Sequence, residues 1–357
     1  MNLFGRRGDI ASPGWSPAKI VFAAVALVGV YFAFQLAITL SQLWVMMFAA
    51  VVVAVLIRSV ADPIIKLTRL PAVVAVILSV VLIIGGLAAL FYLFGSQISA
   101  QVADLAQRLP LGWSRVEAAI EGQPWGQQLI GSMDQLSGYA ERAIGWAQTF
   151  AMGVAAALTG LLLVFVAGIY LALSPDKARE GLIGLFPMDR RPRIREVLNT
   201  TGRALKGWLR AQLIAMTLVG LLSGIGLALI GVPSPVALGV MTGLLDFVPI
   251  VGPIAATIPA LLMAATVGWE QAALTLVLYI VVQQVESVLI MPLAQKSVAN
   301  LPVIITVFAV VAFGSLFGPL GVLFSAPLAL TIYVLVTMLY RQDVLKDDEA
   351  VAPGEET

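Results

Sequence analysis

GVPSPVALGVMTGLLDFVPIVGPIAATIP, residues Gly231 to Pro259, is apolar enough for a bilayer yet holds Pro233, Pro235, Pro249, Pro253 and Pro259, and one carboxylate, Asp246. Proline removes a backbone donor and its ring clashes with the preceding turn, so a run this dense cannot form one regular helix. Backbone that leaves the helix inside hydrocarbon costs roughly several kcal/mol per unpaired group unless protein or water covers it. Interrupted helices persist at membrane depth where they line a cavity, and such cavities are where solutes bind. The stretch is therefore the candidate site, and the expectation is one interrupted crossing bordering a wet passage.

Composition supports the bilayer. Hydrophobic residues make up 60% of the 357-residue chain and charged ones 11%, less than half the roughly 25% of soluble domains. Net charge near zero argues against a nucleic-acid partner. With no cysteine and no histidine, thiolate metal sites, cysteine nucleophiles and unaided titration near neutral pH are all excluded. No P-loop or nucleophile elbow is present, so the chain is not expected to be an enzyme or to need a cofactor or metal, and any active transport must draw on an ion gradient.

Outward from the break, Leu213 to Ile230 predicts a span before it and Gln271 to Met291 one after it. Leu301 to Gly318 is short and glycine-rich and predicts a re-entrant segment; Pro319 to Tyr340 closes the membrane core. Pro302 precedes Gly318-Pro319 by about the same distance as Pro235 precedes Gly252-Pro253, and each Gly-Pro is followed by another proline, Pro327 and Pro259, the kind of paired interruption that marks a transporter site. Upstream, spans are expected over Ile20 to Ile38, Leu43 to Ile57, Pro71 to Phe94 and Met152 to Leu173. The resulting fold is all-α and polytopic, with about eight transmembrane helices. Its divisions are 1–94 (three helices), 95–148 (a small extracytoplasmic helical module), 149–173 (a fourth helix), 174–210, 211–340 (the core with broken helices) and 341–357 (an acidic tail with Asp347, Asp348 and Glu349).

Segment 174–210 is basic, with nine Lys/Arg against four acids. Asp189 is placed to cap a helix with Pro192 in its first turn. Apolar Ile194, Val197, Leu198, Leu205, Trp208 and Leu209 share one face, while Arg193, Arg195, Arg203, Lys206 and Arg210 fall largely elsewhere. That pattern fits a helix lying on the inner membrane surface and then turning into the next span, or an amphipathic helix packed on its own protein. Basic loops mark the cytoplasmic side, which puts both termini inside and the 95–148 module outside.

Charges inside the apolar runs of the core are few: Asp246, Glu286 beside Gln283 and Gln284, and Lys296. Buried ionisable groups cost about 3 kcal/mol or more on insertion scales and usually face a polar path or a partner. Gln283, Glu286 and Ser287 share a helix face. Bland alternatives stand beside this: Glu286 pairs with Lys296, Asp246 caps the helix that restarts after it, and the Gly239/Gly243 and Gly314/Gly318 spacings serve packing.

The strings FVPIVGP (Phe247 to Pro253), Gln284-Val285-Glu286 running to Pro292, VANLP and LFGPLGVLFSAP (Leu316 to Pro327), with FPMDRRPRIREVL upstream, resemble the AI-2E transporter family. The likeness covers nearly the whole chain and is strongest over 185–340. It implies a bacterial inner-membrane permease of about eight spans that forms homo-oligomers such as pentamers. Some members are associated with export of autoinducer-2, and others look like sodium/proton antiporters. Phe247, Pro249, Gly252, Pro253, Gln284, Glu286, Pro292 and Pro302 match the family pattern, whereas Asp246 and Ser287 depart from it, the first by adding a charge. Three functions compete: gradient-driven export of a small polar solute with H+ or Na+ coupling, monovalent-cation/proton antiport, and a non-transporting membrane scaffold.

Overall fold

A computed structural model describes residues 17–86, 88, 92, 162–249, 251–294, 302–347 and 349–355. The proposed outer module at 95–148, residues 1–16 and Lys296 lie outside the described residues. All secondary structure among those described is helical. The chain divides into two units, Met1–Trp44 and Val45–Thr357. The first contains α1 (Pro17–Thr39), an apolar helix.

The second unit carries the rest. Helix α2 (Ser41–Thr68) does not stop at Ile57 but continues through Asp62-Pro63, with the proline inside it. Arg58 ties this part of α2 to its neighbour: its Nε donates to the Ala172 carbonyl at 2.7 Å, where helix α4 (Leu162–Leu173) ends. Asp62 in turn pairs with Lys206 and lies 3.7 Å from Arg58. A short apolar helix, α3 (Ala72–Gly86), follows α2, and α5 (Pro175–Ile183) follows α4.

Helix α6 (Arg191–Ile230) has 40 residues and is about 60 Å long at 1.5 Å per residue. The expected turn between a surface helix and a span is not there, because nothing between Arg203 and Leu213 breaks the hydrogen-bond ladder. The apolar face of its basic half is covered by protein: Val197, Leu205, Trp208 and Leu209 pack with Leu330, Val334, Met338 and Ala352. Its charges are engaged as well. Arg193 bonds Asp343, Glu196 and the Met338 carbonyl, Arg195 bonds Glu180, Arg203 donates to Gly354 O at 2.8 Å, and Lys206 pairs with Asp62; Arg210 is exposed. The membrane-surface role of this helix is thereby corrected to intramolecular docking. Asp189 does not cap it either: the N-cap is Arg190, without a side-chain bond.

The far half of α6 is a span, turning Leu221, Leu222, Ile225 and Leu229 outward. An exposed apolar face of this size belongs in lipid. Helices α7 (Pro235–Leu245), α8 (Val251–Val267) and α9 (Trp269–Val285) follow. A π-helical turn, Glu286–Ile290, leads from α9 into α10 (Met291–Ala294). Helix α11 (Val303–Leu323) is two limbs joined at Gly318, which has φ 65° and ψ −148°; α12 (Ser325–Leu335) ends in a second π-helical stretch, Val336–Gln342. Among the described residues, four helical stretches are by length and composition apolar enough to cross a membrane: Ser41–Thr68, Arg191–Ile230, Trp269–Ile290 and Ile304–Leu323, the last only when its two limbs on either side of Gly318 are taken together. The shorter apolar helices sit between them, as a polytopic membrane protein requires.

The acidic tail does not hang free. Ala350 and Ala352 are buried, Gln342 Nε2 donates to the Ala350 carbonyl at 2.6 Å, and Arg341 pairs with Asp347 at 2.7 Å. Gly354 takes φ +78° against α6, where an added Cβ would stand 2.7 Å from Ala204 N.

Candidate functional site

The proline-rich stretch is not one interrupted crossing. It is a hairpin of α7 and α8, closed by a turn at 246–249 and Val251. At 11 residues, α7 is about 16 Å long, too short for a bilayer of roughly 30 Å. The chain reverses so sharply that a Cβ on Gly252 would stand 1.9 Å from the Leu245 carbonyl oxygen. The family-matching glycine is there because no side chain fits.

The anticipated cost of broken backbone is met within the turn. Phe247 N–H donates to Leu244 O at 3.3 Å, Val248 N–H to Leu245 O at 3.0 Å and Gly252 N–H to Val248 O at 2.9 Å. The Asp246 carbonyl accepts from Gln212 Nε2 on α6 at 2.8 Å. Gln212 is 1% exposed and was not among the expected site residues. The signal was present: an amide one residue before an expected apolar span needs a polar partner. Phe247 anchors the turn from its other side, edge-to-face on Trp208 at 5.9 Å and on Phe324 at 6.5 Å.

Asp246 is the C-cap residue of α7 and 2% exposed; its Oδ2 is buried without a hydrogen-bond partner. Glu286 opens the π turn, is 7% exposed, and accepts from Gln283 Nε2 at 2.8 Å. The two carboxyls come from elements that both pack on α6, and Glu286 lies within electrostatic range of Asp246. Both are enclosed, so the break borders a packed seam and not an open passage in this conformation.

The other expected residues divide. Ser287 bonds the carbonyl of its own Gln283 at 2.9 Å, and Gln283 and Gln284 are exposed on α9. Pro249 sits in the turn and Pro253 in the first turn of α8. Pro292 lies in α10, beyond the π turn, and Pro302 is the N-cap of α11; both are exposed. The small-residue spacings serve packing where they are tightest: Gly220 and Gly224 on α6 lie against Gly239 and Gly243 on α7, with backbones too close for larger side chains.

The sequence of this part of the core is acidic. From 211 to 295 the sequence has Asp246, Glu270 and Glu286 but no lysine or arginine. Like charges in one buried site cannot both ionise without a compensating cation. The arrangement is suited to holding a proton or a monovalent cation. No group of three or more potential metal ligands occurs among the described residues.

The fold is that of a multi-spanning helical membrane protein with interrupted helices and two buried carboxyls. The AI-2E family transporter profile matches residues 20–341, and the chain belongs to that family. It is similar to YrrI of Bacillus subtilis (strain 168), itself only a candidate transport protein by name, with 22% identity over 342 residues, 90% of this chain and 96% of the relative. YueF of the same organism, named likewise, is 22% identical over 298 residues, covering 79% and 81%. A candidate transport protein of Methanothermobacter thermautotrophicus is 27% identical over 230 residues, covering 62% and 66%.

Proposed function

We propose that this transporter is a gradient-driven permease of the bacterial inner membrane that exports a small polar solute of the autoinducer-2 kind. In this reading Asp246 and Glu286 carry the coupling proton or sodium ion, both termini are cytoplasmic, and the working unit is a homo-oligomer in which exposed Gln283 and Gln284 face a second copy. The observation that carries it is the juxtaposition of two buried carboxyls, one with an unpartnered oxygen, at a reversal of the chain. A buried charge of this cost is retained where it is used.

The test measures autoinducer-2 uptake by inside-out vesicles under an imposed pH or sodium gradient. Gradient-dependent uptake that Asp246→Asn and Glu286→Gln each abolish supports the reading; uptake unchanged in both variants removes the carboxyls from the mechanism. A second reading, monovalent-cation/proton antiport, is favoured by the absence of any base from 211 to 295. It predicts sodium-driven proton movement in the same vesicles with no organic solute present.

A further inference from the structure

Hydroxyl side chains of the core converge on the same seam as the carboxyls. On α9, Thr275, Tyr279 and Glu286 are spaced four and seven residues apart and lie on one stripe with Val282; all four are buried. On α7, Thr242 is one turn before Asp246, and its Oγ1 lies 2.8 Å from the Tyr279 hydroxyl. Thr242 Oγ1 also donates to the Leu238 carbonyl at 2.7 Å. A hydroxyl has one hydrogen to give, so Tyr279 is the donor to Thr242.

On α6, Ser223 falls between the residues facing α7 and those facing α9. Gly220 and Gly224 touch α7, and Gly226 abuts Leu278 of α9. Because Gly220 lies against Gly239 and Gly243, Ser223 stands within about one turn of the level of Thr242.

Two of these hydroxyls are anomalous. Ser223 Oγ and Thr275 Oγ1 are fully buried and, like Asp246 Oδ2, have no hydrogen-bond partner. Helical serines and threonines ordinarily satisfy themselves on the carbonyl three or four residues back, as Thr201, Thr217 and Thr257 do here. Buried polar atoms left without a protein partner are where internal water is held.

We infer that the seam between α6, α7 and α9 is a proton path, in which Ser223, Thr275 and the Tyr279–Thr242 pair, bridged by internal water, connect the Asp246–Glu286 site toward the Gly231 end of α6. This deepens the proposed function and rests on its assignment of coupling to the carboxyls. Each step breaks one O–H bond and forms another. A water or hydroxyl takes a proton on its lone pair and passes its own to the next oxygen, and only the carboxyl pair ends with one proton more or fewer. The Thr242 hydrogen, resting on the Leu238 carbonyl, turns to the neighbouring oxygen during the transfer. Asp246, Glu286 and Tyr279 are the titratable side chains that these helices turn into the seam, and α8 adds none.

The full-length protein in phosphatidylethanolamine/phosphatidylglycerol vesicles, with pyranine inside and potassium/valinomycin clamping the voltage, reports proton flux after an external pH jump. Tyr279→Phe and the double variant Ser223→Ala/Thr275→Val are expected to lower that flux by on the order of tenfold, the scale of losing one positioned proton-transfer group or more. Ser223→Ala removes a hydroxyl that has no partner, so its melting temperature is expected to stay at or above the wild-type value, which separates a lost path from a lost fold. Wild-type flux in these variants, with flux lost in Asp246→Asn, overturns the path and leaves the carboxyl assignment standing. Wild-type flux in Asp246→Asn and Glu286→Gln as well overturns both.

Discussion

The α7–α8 and α11–α12 regions use one construction for different ends. Each begins at a proline, each reverses the chain near a Gly-Pro pair, and each presses a glycine onto a carbonyl from the preceding limb. Gly252 meets Leu245 O and Gly321 meets Phe313 O, with a Cβ excluded at 1.9 Å in both cases. The contents differ. The first turn holds Asp246 with Gln212 beneath it, whereas the second stacks Phe313 on Phe317 at 6.0 Å, and no charged residue occurs from 297 to 340. A broken helix at membrane depth is thus a way of turning the chain. In the proposed reading it becomes a site where a carboxyl is placed at the turn. Phe247 and Phe324 tie the two regions edge-to-face, so the charged turn rests on the apolar one.

The largest expected effect separates the two regions by function. Asp246→Asn or Glu286→Gln is expected to lower ion-coupled flux on the order of tenfold or more while the protein stays folded, since each removes a buried charge and keeps the shape. A Phe313→Leu variant is expected to transport normally in the same vesicle assay, and a comparable loss there would erase the distinction. Next, Gly252→Ala and Gly321→Ala are expected to cost about 3 kcal/mol each, because the methyl group has nowhere to go. Thermal unfolding in detergent would show matched losses, and a large difference would mean that the constructions are not equivalent.

Phe247→Leu is expected to cost about 1 kcal/mol through two lost edge-to-face contacts, readable as a modest drop in melting temperature with coupling retained. The smallest effect lies far from the seam. The hydrogen bond from Arg195 holds the Glu180 carboxyl below its ordinary value. That pair therefore contributes at neutral pH, and its contribution fades only as pH falls through the lowered carboxylate range. Arg195→Ala is expected to lower the melting temperature only marginally at pH 7, as for most exposed pairs, and the difference from wild type is expected to vanish once the pH is below the lowered carboxylate range.

Much of this was legible in the sequence. Proline density located the turn, and the scarcity of charge in apolar runs singled out Asp246 and Glu286. The rest depended on contacts between segments distant in the chain. Nothing local in residues 191–210 distinguishes an apolar stripe that meets lipid from one covered by Met338 and Ala352. Local signals equally fail to tell a proline that ends a helix, as at Pro249, from one carried inside it, as at Pro63. Gln212 and Tyr279 gained their meaning only when Asp246 and Thr242 were set against them, because a polar residue in an apolar run reveals that it has a partner but not which one.

The π turn at Glu286–Ile290 gives the seam a swivel. A π turn accommodates one residue more than an α turn, and moving that surplus along the helix rotates the portion it passes through by about 100°. Glu286 stands at its first position. The carboxyl can therefore be swung away from Asp246 by a local twist while the remainder of α9 keeps its packing against α6 and α8.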